Sequence, residues 1–317
     1  MLKASKYMKK GQRLSIITAI FMVIVMLFAM TACDNGTGKQ DPTGNPATDP
    51  SGEPSDPTGN EGDGQGVSEG DSMKVVFFEI GKADAFLIYN SGATILIDAG
   101  EAESAEDILK YMDKKELGTI DYFFITHFDK DHVGGASRIM ENKDVKQVYT
   151  SNYPKSSGEY DNFKSAVNKK KIPASVLRED TSFDIAGIKI AVDAPLQDVY
   201  DEDPSNNSSL IIRISYGEKS FLFMGDALGE RIKEYNATEP EICSVIKMPH
   251  HGEYLPGLDE LLKKTQPKFA VITSSKELKE AEETNQTLKD HNVQIYKTRK
   301  GRVIIETDGK DISVTQK

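Results

Sequence analysis

Four side chains able to hold a metal ion fall within six positions of the stretch THFDKDHVGG, residues 126–135: His127, Asp129, Asp131 and His132. The chain has five histidines, and two more of them, His250 and His251, adjoin in MPHHG. Each cluster follows an apolar run, IDYFFI before the first and CSVIKM before the second, and so belongs to a loop after a buried strand. A polar turn with a helix cap explains Asp129 or Asp131 singly, but not the histidines on both sides. In an extended loop alternate residues face one way, so His127 and Asp129 can converge on one ion. Asp131 and His132 reach a second ion if the chain turns at Gly134 and Gly135. Imidazole nitrogen with carboxylate oxygen suits Zn, and carboxylate-rich sets also admit Mn or Fe. Two divalent ions would be balanced by Asp129, Asp131, one further aspartate and a bridging hydroxide. Asp226, at the end of FLFMGDA, is the candidate for that aspartate, and it also stands where it could cap the helix ALGERIKEY. Lys247, closing the run VIK, can neutralise an anionic substrate oxygen or simply pack its stem in the interior.

These side chains need strands to carry them. KVVFFEI, AFLIY and ATILIDAG, over residues 74–100, are strand runs parted by GKAD and NSG, the mark of a meander. SAEDILKYMDKKEL (104–117) has helical spacing, with Ser104 placed to cap it. IDYFFIT reads as a central strand, ASRIMENK as helix and VKQVYT as strand. FDIAGIKIAVDAP (183–195) and SLIIRISYGEKSFLFMGDA (209–227) supply a second set of strands, the latter a hairpin turning at YGEK. Helix ALGERIKEY, strand CSVIKM, helix GLDELLKKT, strand FAVITS, a helix over roughly 276–290, and strands VQIYKT and RVIIETDG complete the order. Two strand-rich halves with helices between them imply a layered α/β domain, helices outside.

The first 72 residues are different. Residues 1–13 carry five basic side chains and no acid, and LSIITAIFMVIVMLFAMTA (14–32) is apolar up to Cys33. A basic flank, an apolar stretch and small residues before a cut site describe an export signal. MTAC resembles the lipobox of bacterial lipoproteins, which implies lipidation of Cys33; an uncleaved membrane anchor accounts for the same stretch. Both readings place the rest of the chain outside the cytoplasmic membrane. Residues 34–72 are Gly, Pro, Ser, Thr, Asn and acids, with DPTGN repeated at 41–45 and 56–60. So little apolar surface cannot offset chain entropy, so a disordered tether is expected, with a span of about 35 Å. The expected division is therefore a signal at 1–33, a tether at 34–72 and a domain at 73–317.

Net charge is −11 for the chain, and −8 of it belongs to residues 73–317. A domain of that sign shows no evident footprint for long nucleic acid, whose binding rests on Lys and Arg. The basic run NKKK (168–171) reads as a solvated helix end. With Cys33 lipidated, Cys243 stands alone, a small buried strand residue, and no intramolecular disulfide is available.

VVFFEIGKADAFLIYNSGATILIDAG, THFDKDHVGG, NNSSLIIRISYGEKSFLFMGDA and VIKMPHHGE, in that order, resemble the metallo-β-lactamase fold. Within it they are most similar to the hydrolase domain of ComEC/Rec2 competence proteins and its free-standing relatives. The resemblance runs from about residue 74 to the end and implies an αββα sandwich with a two-metal site at the strand ends. It implies His127, Asp129, Asp131, His132 and Asp226 as ligands, Asp226 bridging. One of His250 and His251 completes the second metal, with His251 favoured and His250 then touching the substrate. It gives Asp98, in LIDAG, the task of orienting the ligand loop, and Asp129 or Asp131 that of positioning the nucleophile. Three departures stand out. GKADA replaces the family's Gly-Gln-Gly-Asp-Ala, which makes Lys82 a surface charge or a mouth residue. SNNSS stands where many members carry another ligand histidine, so Asn206 or Asn207 would substitute or a position stays open. SSKELKEAEE follows FAVITS with no histidine where relatives have Gly-His-Pro. The function expected is an extracytoplasmic metal-dependent phosphodiesterase acting on a nucleotide, a nucleic-acid end or a cell-wall phosphoester. A carboxylic-ester, lactone or β-lactam hydrolase and a non-catalytic metal-binding domain are the alternatives.

Overall fold

A computed structural model describes residues 71–317; the export segment, Cys33 and nearly all of the acidic tether lie outside the described residues. The first apolar runs become strands β1 (Met73–Phe77), β2 (Phe86–Tyr89) and β3 (Thr94–Ile97), paired antiparallel through the short turns that Gly81 and Gly92 punctuate. Strands β4 (Thr119–Ile125), β5 (Asp144–Thr150) and β6 (Ala174–Val176) then join in parallel, each reached through a helical crossover or a long loop. The second sheet begins as an antiparallel ribbon, β7 (Thr181–Ile185), β8 (Ile188–Asp193), β9 (Ile211–Tyr216) and β10 (Lys219–Phe223). It continues in parallel through β11 (Val245–Lys247), β12 (Phe269–Ile272) and β13 (Gln294–Lys297). The chain then returns to the first sheet with β14 (Val303–Thr307) and β15 (Ile312–Gln316), β14 pairing with β1.

The two sheets, of eight and seven strands, face each other. Phe77, Phe86 and Ile88 of one meet Ile212, Phe221 and Phe223 of the other in a shared core, all at most 1 % exposed. Phe77 and Phe86 lie 5.8 and 5.1 Å, centroid to centroid, from Phe223, and each such ring contributes about 2–3 kcal/mol by leaving water. Helices α1 (Ala105–Lys114), α2 (Lys130–Val133), α3 (Ala136–Asn142) and α4 (Gly158–Lys170) belong to the outer side of the first sheet, where Ile108, Met112, Ile139 and Phe163 form a second core. On the second sheet α5 (Pro204–Asn207) is a single turn, while α6 (Gly229–Ala237), α7 (Leu258–Thr265) and α8 (Glu282–Asp290) bury Ile232, Leu261, Leu262 and Leu288. The result is the expected αββα sandwich. Among the described residues no helix is long and apolar enough to cross a membrane.

Some local expectations change. Ser104 makes no capping hydrogen bond, because a 3-10 turn over Ala102–Ser104 leads directly into α1 and leaves Ser104 already helical. The last helix starts at Glu282 rather than near 276, its first residues being spent on a loop. Lys169 and Lys170 do end a helix, which Lys171 stops in the left-handed conformation at φ 55°. The topology also gathers the chemistry-bearing loops. Strands β3, β4 and β5 run parallel, as do β10, β11 and β12, so each set presents its C-terminal ends at one edge. Asp98, His127, Asp226 and His251 all lie within four positions of such an end, where open α/β sheets place ligands.

Candidate metal centre

Asp98 follows β3 in the left-handed region, at φ 56°, a conformation aspartate tolerates better than most side chains. Its carboxylate receives the Thr126 backbone N–H at 2.8 Å and the Thr126 hydroxyl at 2.7 Å. It lies 2.8 Å from His132 Nδ1. A carboxylate can only accept here, so His132 Nδ1 carries a proton and Nε2 is the nitrogen left to face a metal ion. That Nε2 is 3.2 Å from Asp226 Oδ2. His251 is placed similarly: its Nδ1 lies 3.0 Å from the Thr273 hydroxyl and 3.4 Å from Asp84 Oδ1, and its Nε2 lies 3.1 Å from Asp226 Oδ2 and 3.3 Å from Asp131 Oδ2.

The ligand atoms of Asp131, His132, Asp226 and His251 thus all lie within 4.8 Å of one another. His127 joins them by ring contact, its centroid 4.1 Å from that of His132, and its Nε2 stands 4.0 Å from Asp129 Oδ1. The Nε2 atoms of His127, His132 and His251 are buried and have no hydrogen-bond partner, and neither has Asp226 Oδ1. Imidazole nitrogens buried this close to carboxylate oxygens need a proton or a metal cation between them. The donor set therefore fits a divalent metal ion, two imidazoles and two carboxylates in its tightest part.

Electrostatics derive from burial. Burial pushes the His127 pKa down, and the charge of His132 adds to it, to about 3; the ring is neutral. Burial also opposes charge on His251, but Asp226 and Asp84 outweigh it and raise the ring to about 10. Burial favours the neutral form of Asp131, yet His251, 3.3 Å away, and the charge of His132 bring it down to about 2. Asp226 is likewise held well below its ordinary range by His251 and His132 against the effect of burial. The carboxylates are ionised and the cluster as a whole calls for positive charge.

The other expected ligands and rim residues take varied places. Asp129 starts α2 but caps nothing; its Oδ1 is instead held by Lys155 and by the Ser205 hydroxyl. Asp226 does not cap α6, whose cap position is Leu228, and its backbone N–H bonds Ser209 Oγ at 3.1 Å. His250 is 19 % exposed at the rim, 3.9 Å from Asp226 and 3.1 Å from Glu253. His250, His251 and Gly252 are three successive left-handed residues, at φ 42°, 54° and 85°, which is how adjacent histidines come to face different ways. Asn207 accepts from the Arg231 N–H at 3.2 Å and donates to Glu202 O at 2.6 Å, so both ends of its amide are engaged away from the cluster. Asn206 donates to Asp203. Lys82 pairs with Glu253 at the rim.

Two corrections are physical. Lys247 does not point at the open side of the centre: it is fully buried, paired with Asp84, 3.1 Å from Gly225 O and 3.6 Å from Asp226 Oδ1. The short strand β11 ends inside the sandwich, so its last side chain has no route to a substrate. Gly134 and Gly135 are right-handed, at φ −55° and −80°, so they are not needed for a left-handed turn. Their use is close approach, since a Cβ at Gly134 would lie 2.9 Å from Ala102 N and Glu101 Cα. Sequence reading missed Lys155, Ser205 and Thr273, which sit in no recognisable spacing, and gave no role to Asp84, which stands in GKADA at the aspartate of the family's Gly-Gln-Gly-Asp-Ala.

Comparison with known proteins agrees with the geometry. The model of the family described as the Metallo-beta-lactamase superfamily matches residues 80–273. ComE operon protein 3 of Bacillus subtilis is 24% identical over 195 residues, 60% of this chain and 25% of that protein. Recombination protein 2 of Haemophilus influenzae is 26% identical over 203 residues, 62% of this chain and 24% of that one. The chain thus spans about a quarter of the length of the curated relatives it matches. The crystal structure of the metallo-beta-lactamase fold protein YhfI from Bacillus subtilis aligns with a TM-score of 0.53 at 12% identity, covering 75% of this chain and all of that one. That likeness establishes the fold.

Proposed function

The chain belongs to the metallo-beta-lactamase superfamily of metal-dependent hydrolases, and from that premise we propose that it is an extracytoplasmic phosphodiesterase. The observation that carries the hydrolase reading is the convergence of two buried imidazole nitrogens, His132 Nε2 and His251 Nε2, on the Asp226 and Asp131 carboxylates, with the His127 ring beside them. Asp131, His132, Asp226 and His251 would hold the ion, with His127 and Asp129 beside them. A divalent ion there supplies Lewis acidity to the substrate oxygen and lowers the pKa of water. Water is the nucleophile this site can use. Cys243, a free thiol, is buried on the far face of the second sheet, and burial pushes its pKa up to about 12. Asp131, ionised at neutral pH, can accept a hydrogen bond from that water and so orient it. Asp98 orients the His132 imidazole, and Thr273 with Asp84 orients that of His251. His250 at the rim is within reach of a substrate oxygen, and Lys155, about one third exposed, adds positive charge beside Asp129.

The phosphodiester preference draws support from two sources. An anionic substrate suits the rim cations Lys155 and Lys82. One relative carries recombination in its name, a process that concerns phosphodiester bonds. Turnover of bis(p-nitrophenyl) phosphate, nitrocefin and p-nitrophenyl acetate by the full chain with defined metals tests the reading. Phosphodiester turnover that exceeds the other two, and that disappears in Asp226→Ala with the fold intact, is expected. Faster turnover of nitrocefin or the acetate would overturn it. The extracytoplasmic part rests on the signal at 1–33, lipidation of Cys33 and the tether at 34–72, all proposals. It predicts release of Cys33→Ser from the membrane fraction.

A further inference from the structure

We infer that Lys155 stands in for a metal ion at the His127–Asp129 end of the centre, so that the chain holds one divalent ion tightly and a second only weakly. This rests on the reading of Asp131, His132, Asp226 and His251 as a metal centre. The ligand atoms of those four form one group within 4.8 Å, and neither His127 nor Asp129 belongs to it. At the other end the Asp129 oxygen nearest His127 Nε2, Oδ1 at 4.0 Å, is the same atom that Lys155 and Ser205 both hold. An ion placed there must displace the ammonium or sit against it, and like charges a few ångströms apart in a half-buried site repel strongly.

A strong third donor for that position is also missing. The stretch 205–209 holds no histidine; both ends of the Asn207 amide are engaged with Arg231 and Glu202, and Asn206 gives its NH2 to Asp203, which leaves only a neutral amide oxygen, a weaker ligand than imidazole or carboxylate. Lys155 itself is presented by a tethered segment. Just before it, Ser151 bonds Ser208 O at 2.5 Å and Asn152 bonds Gln197 O at 3.1 Å. The ammonium therefore arrives at Asp129 from a fixed base.

Charge balance points the same way. Lys247 neutralises Asp84 behind the centre, and Lys155 neutralises Asp129 in front of it. Of the carboxylates that meet at the four-residue group, Asp131 and Asp226 are left, and one dication balances them. A second dication would need the carboxylate that Lys155 already occupies.

Titration of the metal-stripped full chain with cobalt(II), followed by its visible spectrum and by metal analysis, tests this. One tight equivalent is expected, with the second about 10- to 100-fold weaker, the size of a charge-assisted contact that must be given up. Lys155→Met should bring the second affinity to within about tenfold of the first, and Lys155→Arg, which keeps the cation, should not. Should Lys155→Met fail to fold, Ser205→Ala loosens the same oxygen and should strengthen the second site in the same direction. Two equally tight equivalents in the unaltered chain would overturn the inference while leaving the metal centre standing. No cobalt bound by any of the proteins would overturn the centre and the inference together.

Discussion

Asp98 Oδ2 sits 2.8 Å from His132 Nδ1, and both side chains are fully buried. The pair decides which imidazole nitrogen is free. In Asp98→Asn the amide can still accept the Thr126 N–H, and asparagine accepts the left-handed backbone. It cannot accept from both the Thr126 hydroxyl and His132 Nδ1. His132 then favours the tautomer with its proton on Nε2, the wrong side for a ligand. Metal affinity should fall about 10- to 100-fold with little change in secondary structure. Chelator competition measures it, and an unchanged dissociation constant would show that Asp98 merely ends a strand.

Lys247 and Asp84 form a second buried pair, both completely shielded from solvent. Burial works against the charge on Lys247, but Asp84 and Asp226 outweigh it and raise its pKa, so the ammonium persists. Lys247→Met leaves the Asp84 carboxylate without its cation and should cost about 3–5 kcal/mol in urea unfolding. Asp84→Asn added to it should restore more than half of that loss, because the stranded charge is gone. If the double variant is as unstable as the single one, the lysine acts through packing alone.

The ligands were legible because their types are rare and their spacing is tight: four of five histidines occur in two loops. Their partners were not. Lys155 lies 26 positions from Asp129 in a stretch with no pattern, and only the ends of β4 and β5 lying side by side bring them together. The fate of Lys247 depended on which loop would cover the end of β11, and the answer, the turn holding Asp84, comes from the other sheet. α4 was easily overlooked since it buries only Phe163 and Ala166 fully. β15 alternates half-buried and exposed residues at a sheet edge and gives little apolar signal.

Gly134 separates close approach from backbone freedom. Its φ is ordinary for any residue, so alanine meets no conformational penalty. The new Cβ, however, would press on the backbone of Glu101 and Ala102 at 2.9 Å. Gly134→Ala should therefore destabilise by about 1–3 kcal/mol and weaken metal binding by shifting α2, which carries Asp131 and His132. Gly118→Ala, with nothing within 4 Å, is the control and should be near neutral. Equal melting temperatures for the two variants would remove the close-approach argument.

Glu280 braces the turn that presents His251, and its contribution should vanish in acid. Its side chain is 3 % exposed and receives Lys297 at 2.5 Å, Arg299 at 3.1 Å and the Ser274 hydroxyl at 2.9 Å. The next residue, Ala281, donates its N–H to Gly252 O at 3.0 Å, directly behind the ligand turn. Burial alone would raise the Glu280 pKa, but the hydrogen bonds from Arg299 and Lys297 prevail and hold it well below the ordinary 4.5. A carboxyl depressed in the folded state stabilises fully above its unfolded pKa, and loses that effect as the pH falls from there through the folded value. Glu280→Gln should cost about 1–3 kcal/mol at neutral pH. The gap between the two proteins should narrow steadily once the pH drops below 4.5, and urea unfolding across that range measures it. A gap that stays constant into acid would mean that the charge of Glu280 contributes nothing and that its shape alone supports the turn.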